Sequence, residues 1–116
     1  PAGLYHLKIY DKLWDLIMEL THVDGENKGK ILLFALSTCG WCKQLREFIE
    51  DLNVEFDYIY VDLTEGDERD EAVNEVSKYN ENLSFPTLVI NDKDVVMGYE
   101  PDEVKMLLNI WFIRLV

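Results

Sequence analysis

Two kinds of hydrophobic pattern take turns along this chain. From Leu4 to Thr21, the apolar Leu13, Trp14, Leu16, Ile17 and Leu20 stand among charged residues at helical spacing, which predicts an N-terminal helix with one apolar face. Asp24-Gly25-Glu26-Asn27-Lys28-Gly29-Lys30 is polar and glycine-bearing and predicts a loop. Ile31-Leu32-Leu33-Phe34-Ala35-Leu36 is an unbroken apolar run, the mark of a strand buried on both faces, and Leu45, Phe48, Ile49 and Leu52 then recur at i, i+3, i+4 and i+7. Glu55 to Val61 is aromatic and β-branched, whereas Glu68 to Tyr79 spaces Ala72, Val73, Val76 and Tyr79 along one helix face. Thr87-Leu88-Val89-Ile90 and Asp94-Val95-Val96-Met97 flank the polar turn Asn91-Asp92-Lys93, which predicts an antiparallel hairpin. Pro101 opens a last helix carrying Val104, Leu107, Leu108, Trp111 and Leu115.

From Ile31 onward the order is β-α-β-α-β-β-α. That is the α/β order of a thioredoxin-like sandwich: a central four-stranded mixed sheet with helices on both faces, preceded here by an extra N-terminal helix. Residues 1–29 read as a helical extension and loop, and residues 30–116 as the main domain. At 116 residues and 48% hydrophobic content, the chain can fill one core but not two. The apolar end Trp111 to Val116 is expected to pack on the apolar face of the N-terminal helix.

Charge narrows the function. Eleven Lys and Arg against 23 Asp and Glu give a net charge of −12, which repels phosphate backbones and anionic lipid, so nucleic-acid and membrane-surface roles are disfavoured. No basic leader with an apolar core and no run of membrane-spanning length appears, and the two cysteines make no disulfide scaffold, so a cytoplasmic setting is expected. The acidic cluster Glu65, Asp67, Glu68, Asp70, Glu71 and Glu75 reads as a solvated helix start. A structural zinc site needs four ligands, and the two histidines, His6 and His22, lie 16 residues apart on the expected N-terminal helix, so no metal or cofactor is expected.

Both cysteines lie in Cys39-Gly40-Trp41-Cys42, where the apolar strand gives way to the helical pattern. Cys-x-x-Cys spacing at a strand-to-helix turn suits a cycling dithiol, because the backbone N–H groups and macrodipole of a helix start favour a thiolate. Cys39 is the expected nucleophile. Cys42, one turn further, is placed to attack a mixed disulfide and release the product. Pro86, on its own, reads as a strand-start proline with the usual trans bond.

This centre, together with Ser84-Phe85-Pro86-Thr87 before the hairpin and Gly98-Tyr99 before the last helix, resembles the three landmarks of glutaredoxin-like redoxins across about residues 30 to 110. The resemblance implies a cis Pro86 facing the cysteines, with the main chain of Phe85 pairing with a peptide or glutathione backbone. Trp41, Phe85, Pro86, Gly98 and Tyr99 are then the expected substrate-binding residues around Cys39 and Cys42. The spacer is hybrid, resembling glutaredoxins in its aromatic second position and thioredoxins in its glycine.

Two departures bear on substrate. Glutathione-using glutaredoxins carry a lysine where this chain has Leu36, and Gly98-Tyr99-Glu100-Pro101-Asp102 is similar instead to the Gly-Phe-x-Pro-Asp segment of redoxins that serve ribonucleotide reductase. The expectation is therefore a thiol–disulfide oxidoreductase and electron carrier that reduces protein disulfides, ribonucleotide reductase among the candidates. It would be recharged by a disulfide reductase or a low-molecular-weight thiol. The alternative implied by the resemblance is an iron–sulfur glutaredoxin holding a cluster through Cys39 in a dimer.

Overall fold

The computed structural model of the protein describes residues 18–110. Within them a five-stranded mixed sheet carries three α-helices. The strands are β1 (Thr21–Val23), β2 (Ile31–Ala35), β3 (Phe56–Tyr60), β4 (Thr87–Ile90) and β5 (Asp94–Met97), and the helices are α1 (Gly40–Asp51), α2 (Gly66–Tyr79) and α3 (Pro101–Leu107). A single 3-10 turn, Val61–Leu63, follows β3.

The spatial order is β1-β3-β2-β4-β5. Only β2 and β3 are parallel, and α1 crosses between them, as a parallel pair requires. β4 lies antiparallel to β2 with Phe34 opposite Thr87, and β5 returns antiparallel to β4. The cores follow from strand alternation, since neighbouring side chains leave a strand on opposite faces. Ile31, Leu33 and Ala35 join Leu88 and Ile90 beneath Leu45 and Ile49 of α1 and Val104 of α3. Phe34 and Val89 point the other way and pack with Ile59 against Ala72 and Val76 of α2. The result is a thioredoxin-like layering of helix, sheet and helix.

The expected four-stranded sheet is corrected to five strands. The added one is β1, antiparallel to β3 with Thr21 opposite Tyr58, His22 opposite Asp57 and Val23 opposite Phe56. Residues 18–20 are not helical, so the helix expected to run to Thr21 does not reach that far, and His22 sits on a strand. Three mostly exposed residues are too short to show a period of their own; what makes them a strand is the open edge of β3. The rest of that N-terminal helix, and the packing expected for Trp111 to Val116, lie outside the described residues. Among the described residues no helix is long and apolar enough to cross a membrane.

Candidate active site

The C-terminal end of β2 leads straight into the dithiol. After Ala35 the chain turns, with the Cys39 amide donating to the Leu36 carbonyl at 3.3 Å, and Cys39 becomes the N-cap of α1 in extended conformation. Its Sγ accepts from the Cys42 amide at 3.2 Å, the bond an N-cap side chain makes to an otherwise unpaired helix amide. No acidic residue occupies the first turn of α1, so no carboxylate there competes for the positive end of the helix.

The two thiols live in different surroundings. Cys39 is half-buried, whereas Cys42 is only 1% exposed and packs in the core with Leu45 and Ile49. Burial, then the hydrogen bond with Cys39 and the negative charges of Cys39 and Asp62, push the Cys42 thiol up to about 12. A half-exposed sulfur at a helix head can attack an external disulfide, and a buried thiol one turn behind can attack that sulfur in turn.

Around this pair the fold gathers the other residues expected from sequence. The register that puts Phe34 opposite Thr87 runs Phe85 and Pro86 alongside the end of β2, and the Phe85–Pro86 peptide is cis. Pro86 is buried, and its carbonyl accepts from the Gly98 amide at 2.9 Å. Gly98 has φ +84°, a left-handed conformation glycine takes without strain. Tyr99 follows at once and stacks on Trp41, with centroids 5.6 Å apart and planes 24° apart. It also meets Phe48 edge-on at 6.3 Å, and Lys105 Nζ lies 5.6 Å from the Phe48 centroid. Cys39, Phe85 and Tyr99 all pack against the same core cluster that contains Cys42. Trp41 remains 60% exposed, so its outer face is open to a partner.

Two polar clamps escaped the sequence reading. Asp62 accepts from the Ser37 amide at 2.8 Å and from its hydroxyl, tying the loop before Cys39 to the end of β3. Those bonds hold the Asp62 carboxyl below the usual carboxylate range. Buried Asn80 donates its amide to Ser84 Oγ at 2.8 Å and to Thr87 Oγ1 at 3.0 Å, bracing the segment that carries Pro86. Short polar side chains far apart in sequence leave no periodic signal, so neither clamp is visible before the fold. Leu36, at the position where glutathione-using relatives are expected to hold lysine, packs on the α2-side core.

Comparison with known proteins agrees with this architecture. The family model described as glutaredoxin matches residues 31–95. The chain is 45% identical to the glutaredoxin of Methanosarcina mazei Go1, covering 77% of this chain and 86% of that one with a TM-score of 0.73. It is 39% identical to the methanoredoxin of Methanosarcina acetivorans over 72% and 88% of the two chains, with a TM-score of 0.71. Gene 56 protein of Mycobacterium phage D29 is 32% identical over 68% of this chain and 82% of its own.

Proposed function

From a chain that belongs to the glutaredoxin family, and so to the thiol–disulfide redoxins, we propose a protein-disulfide reductase that works by a two-cysteine route. The observation that carries this reading is the contrast between the two thiols: Cys39 half-exposed at the head of α1, Cys42 buried behind it and held protonated.

In the first step the Cys39 thiolate attacks one sulfur of the target disulfide. The target S–S bond breaks, the leaving sulfur departs as thiolate and takes up a proton, and a Cys39–target mixed disulfide remains. In the second step Cys42 loses its proton and attacks Cys39 Sγ, expelling the second target thiol. The Cys39–Cys42 disulfide then holds the oxidising equivalents, and two electrons have passed to the target.

The environment of Cys42 times this second step. Burial raises the Cys42 pKa most and persists throughout, and the hydrogen bond and the charge of Cys39 add to it. These two additions are altered once Cys39 carries a target sulfur, so Cys42 ionises more readily in the mixed disulfide than before it.

Cis Pro86 and Phe85 are proposed to pair with an extended target backbone, and the exposed face of the Trp41–Tyr99 stack to receive a target side chain. Ribonucleotide reductase is among the proposed targets, on the Gly98-Tyr99-Glu100-Pro101-Asp102 segment. Leu36, engaged in the α2-side core, offers no cation to a glutathione carboxylate, which favours a disulfide reductase over glutathione as electron donor. A cytoplasmic setting belongs to the same reading.

The test is turnover of insulin and of a ribonucleotide reductase disulfide, with glutathione plus its reductase in one arm and a thioredoxin-reductase-type donor in the other. Faster turnover in the second arm is expected. No turnover of either disulfide in any arm would overturn the proposal, and a persistent cluster chromophore in anaerobically purified protein would favour the iron–sulfur alternative.

A further inference from the structure

The outer edge of the sheet gathers a second set of reactive groups. His22 on β1 stands opposite Asp57 on β3, with Nδ1 2.9 Å from Asp57 Oδ1. Its other nitrogen, Nε2, faces Asp24 Oδ1 at 3.2 Å and Glu55 Oε1 at 3.7 Å. A carboxylate can only accept, so Nδ1 carries the hydrogen, and a neutral ring then turns its Nε2 lone pair toward two anionic oxygens. Three electron-pair donors converging in this way need a cation among them, either a second proton on the ring or a metal ion.

We propose that His22 Nε2, Asp24 and Glu55 bind a divalent transition ion of the zinc class, with Asp57 orienting the imidazole. One donor atom from each residue lies within 4.8 Å of the others. Zinc bonds of about 2.0 to 2.2 Å in tetrahedral arrangement put neighbouring donors roughly 3.4 Å apart, a value between the two distances measured from Nε2. An imidazole nitrogen with two carboxylates suits such an ion better than calcium or magnesium, which take oxygen ligands. Three protein ligands leave a fourth position for water or an external ligand. The carboxylate–imidazole pair of Asp57 and His22 is the outer-shell arrangement that metal-bound histidines use.

The main chain brings these residues together before any ion arrives. The Glu26 amide donates to Asn53 O at 2.8 Å and the Glu55 amide to Glu26 O at 2.9 Å, pinning the segment after Asp24 to the segment before β3. Between them, Gly25 approaches so closely that a Cβ there would lie 2.5 Å from the Val54 carbonyl carbon. His22, Glu55 and Asp57 line one shallow cleft together with Lys30, whose ammonium pairs with Asp92 at 3.1 Å.

The test is a zinc titration of the protein oxidised to the Cys39–Cys42 disulfide, so that thiols cannot ligate, followed by calorimetry and by the NMR signals of the His6 and His22 rings. Saturable 1:1 binding that shifts the His22 ring and leaves His6 in place is expected. His22→Gln and Glu55→Gln should weaken it at least tenfold, and Asp57→Asn about tenfold, the range known for outer-shell partners. Affinity should fall as pH drops, because protons compete for Nε2, while disulfide reduction by His22→Gln should match the unsubstituted protein. No saturation at millimolar zinc, unchanged binding in His22→Gln, or equal affinity for magnesium would overturn the proposal.

Discussion

The start of α1 and the β1–β3 edge each hold titratable groups within hydrogen-bond reach, in opposite media. Cys42 is 1% exposed, with the apolar faces of α1 and the sheet around it, and its thiol is displaced to about 12. At the edge three carboxylates face one imidazole whose side chain is 48% exposed, with Asp24 98% exposed, and His22 is raised above its ordinary value chiefly by its bond to Asp57. The same pair of charges attracts several times more strongly near a protein surface of intermediate dielectric than in bulk water, and more again in a dry interior. Number of charged neighbours therefore does not rank the two regions. Access of water does, and it makes the dithiol end the place where single substitutions act most strongly.

The largest effect expected is at the dithiol itself. Cys39→Ser should reduce disulfide turnover to background and form no mixed disulfide, while Cys42→Ser should accumulate one that mass spectrometry detects. Accumulation in Cys39→Ser instead would reverse the roles of the two thiols.

Next in size is the packing behind them. Leu45 is fully buried between α1 and the sheet, and Leu45→Ala should cost about 2 to 5 kcal/mol in urea unfolding, the range for a core leucine whose cavity only partly collapses. A loss below about 1 kcal/mol would mean that this end of the core is looser than the contrast requires.

Asp62 belongs to neither extreme, being an exposed carboxylate that ties down the loop before Cys39. Asp62→Asn should cost about 1 kcal/mol or less, since water screens the pair. Its carboxyl is depressed in the folded state, so its contribution is present above the unfolded value of about 3.9 and is lost as pH falls through the lower folded value. The stability gap between Asp62→Asn and the unsubstituted protein should close in strong acid. Because Asp62 also raises Cys42, the substitution should make Cys42 easier to alkylate at a given pH.

The smallest effect is expected at the edge. His22 gains its proton more readily folded than unfolded, so its ion pairs contribute fully below the unfolded value of about 6.5 and fade as pH rises through the raised folded value. His22→Gln, measured without metal, should therefore destabilise the protein more at pH 5.5 than at pH 9. An equal difference at both pH values would mean that His22 acts by packing alone.

Periodicity along the chain determined most of the fold. The apolar run at Ile31, the i, i+3, i+4 stripe at Leu45, Phe48 and Ile49, and the turn at Asn91-Asp92-Lys93 are local patterns, and each became the element it predicts because backbone geometry sets the spacing of a buried face. Cys39 and Cys42 were legible for the same reason: their spacing and their place at a strand-to-helix switch are both written within a few residues. Tertiary structure alone decided what depends on residues distant in sequence. Thr21–Val23 is a strand because β3 left an edge open, and Ser37 meets Asp62 because β2 and β3 run side by side. The stacking of Tyr99 on Trp41 and the gathering of His22, Asp24, Glu55 and Asp57 have the same origin. Such contacts have no period, since the chain between partners can take any course that closes the sheet, and polar side chains leave no trace of the partner they will meet.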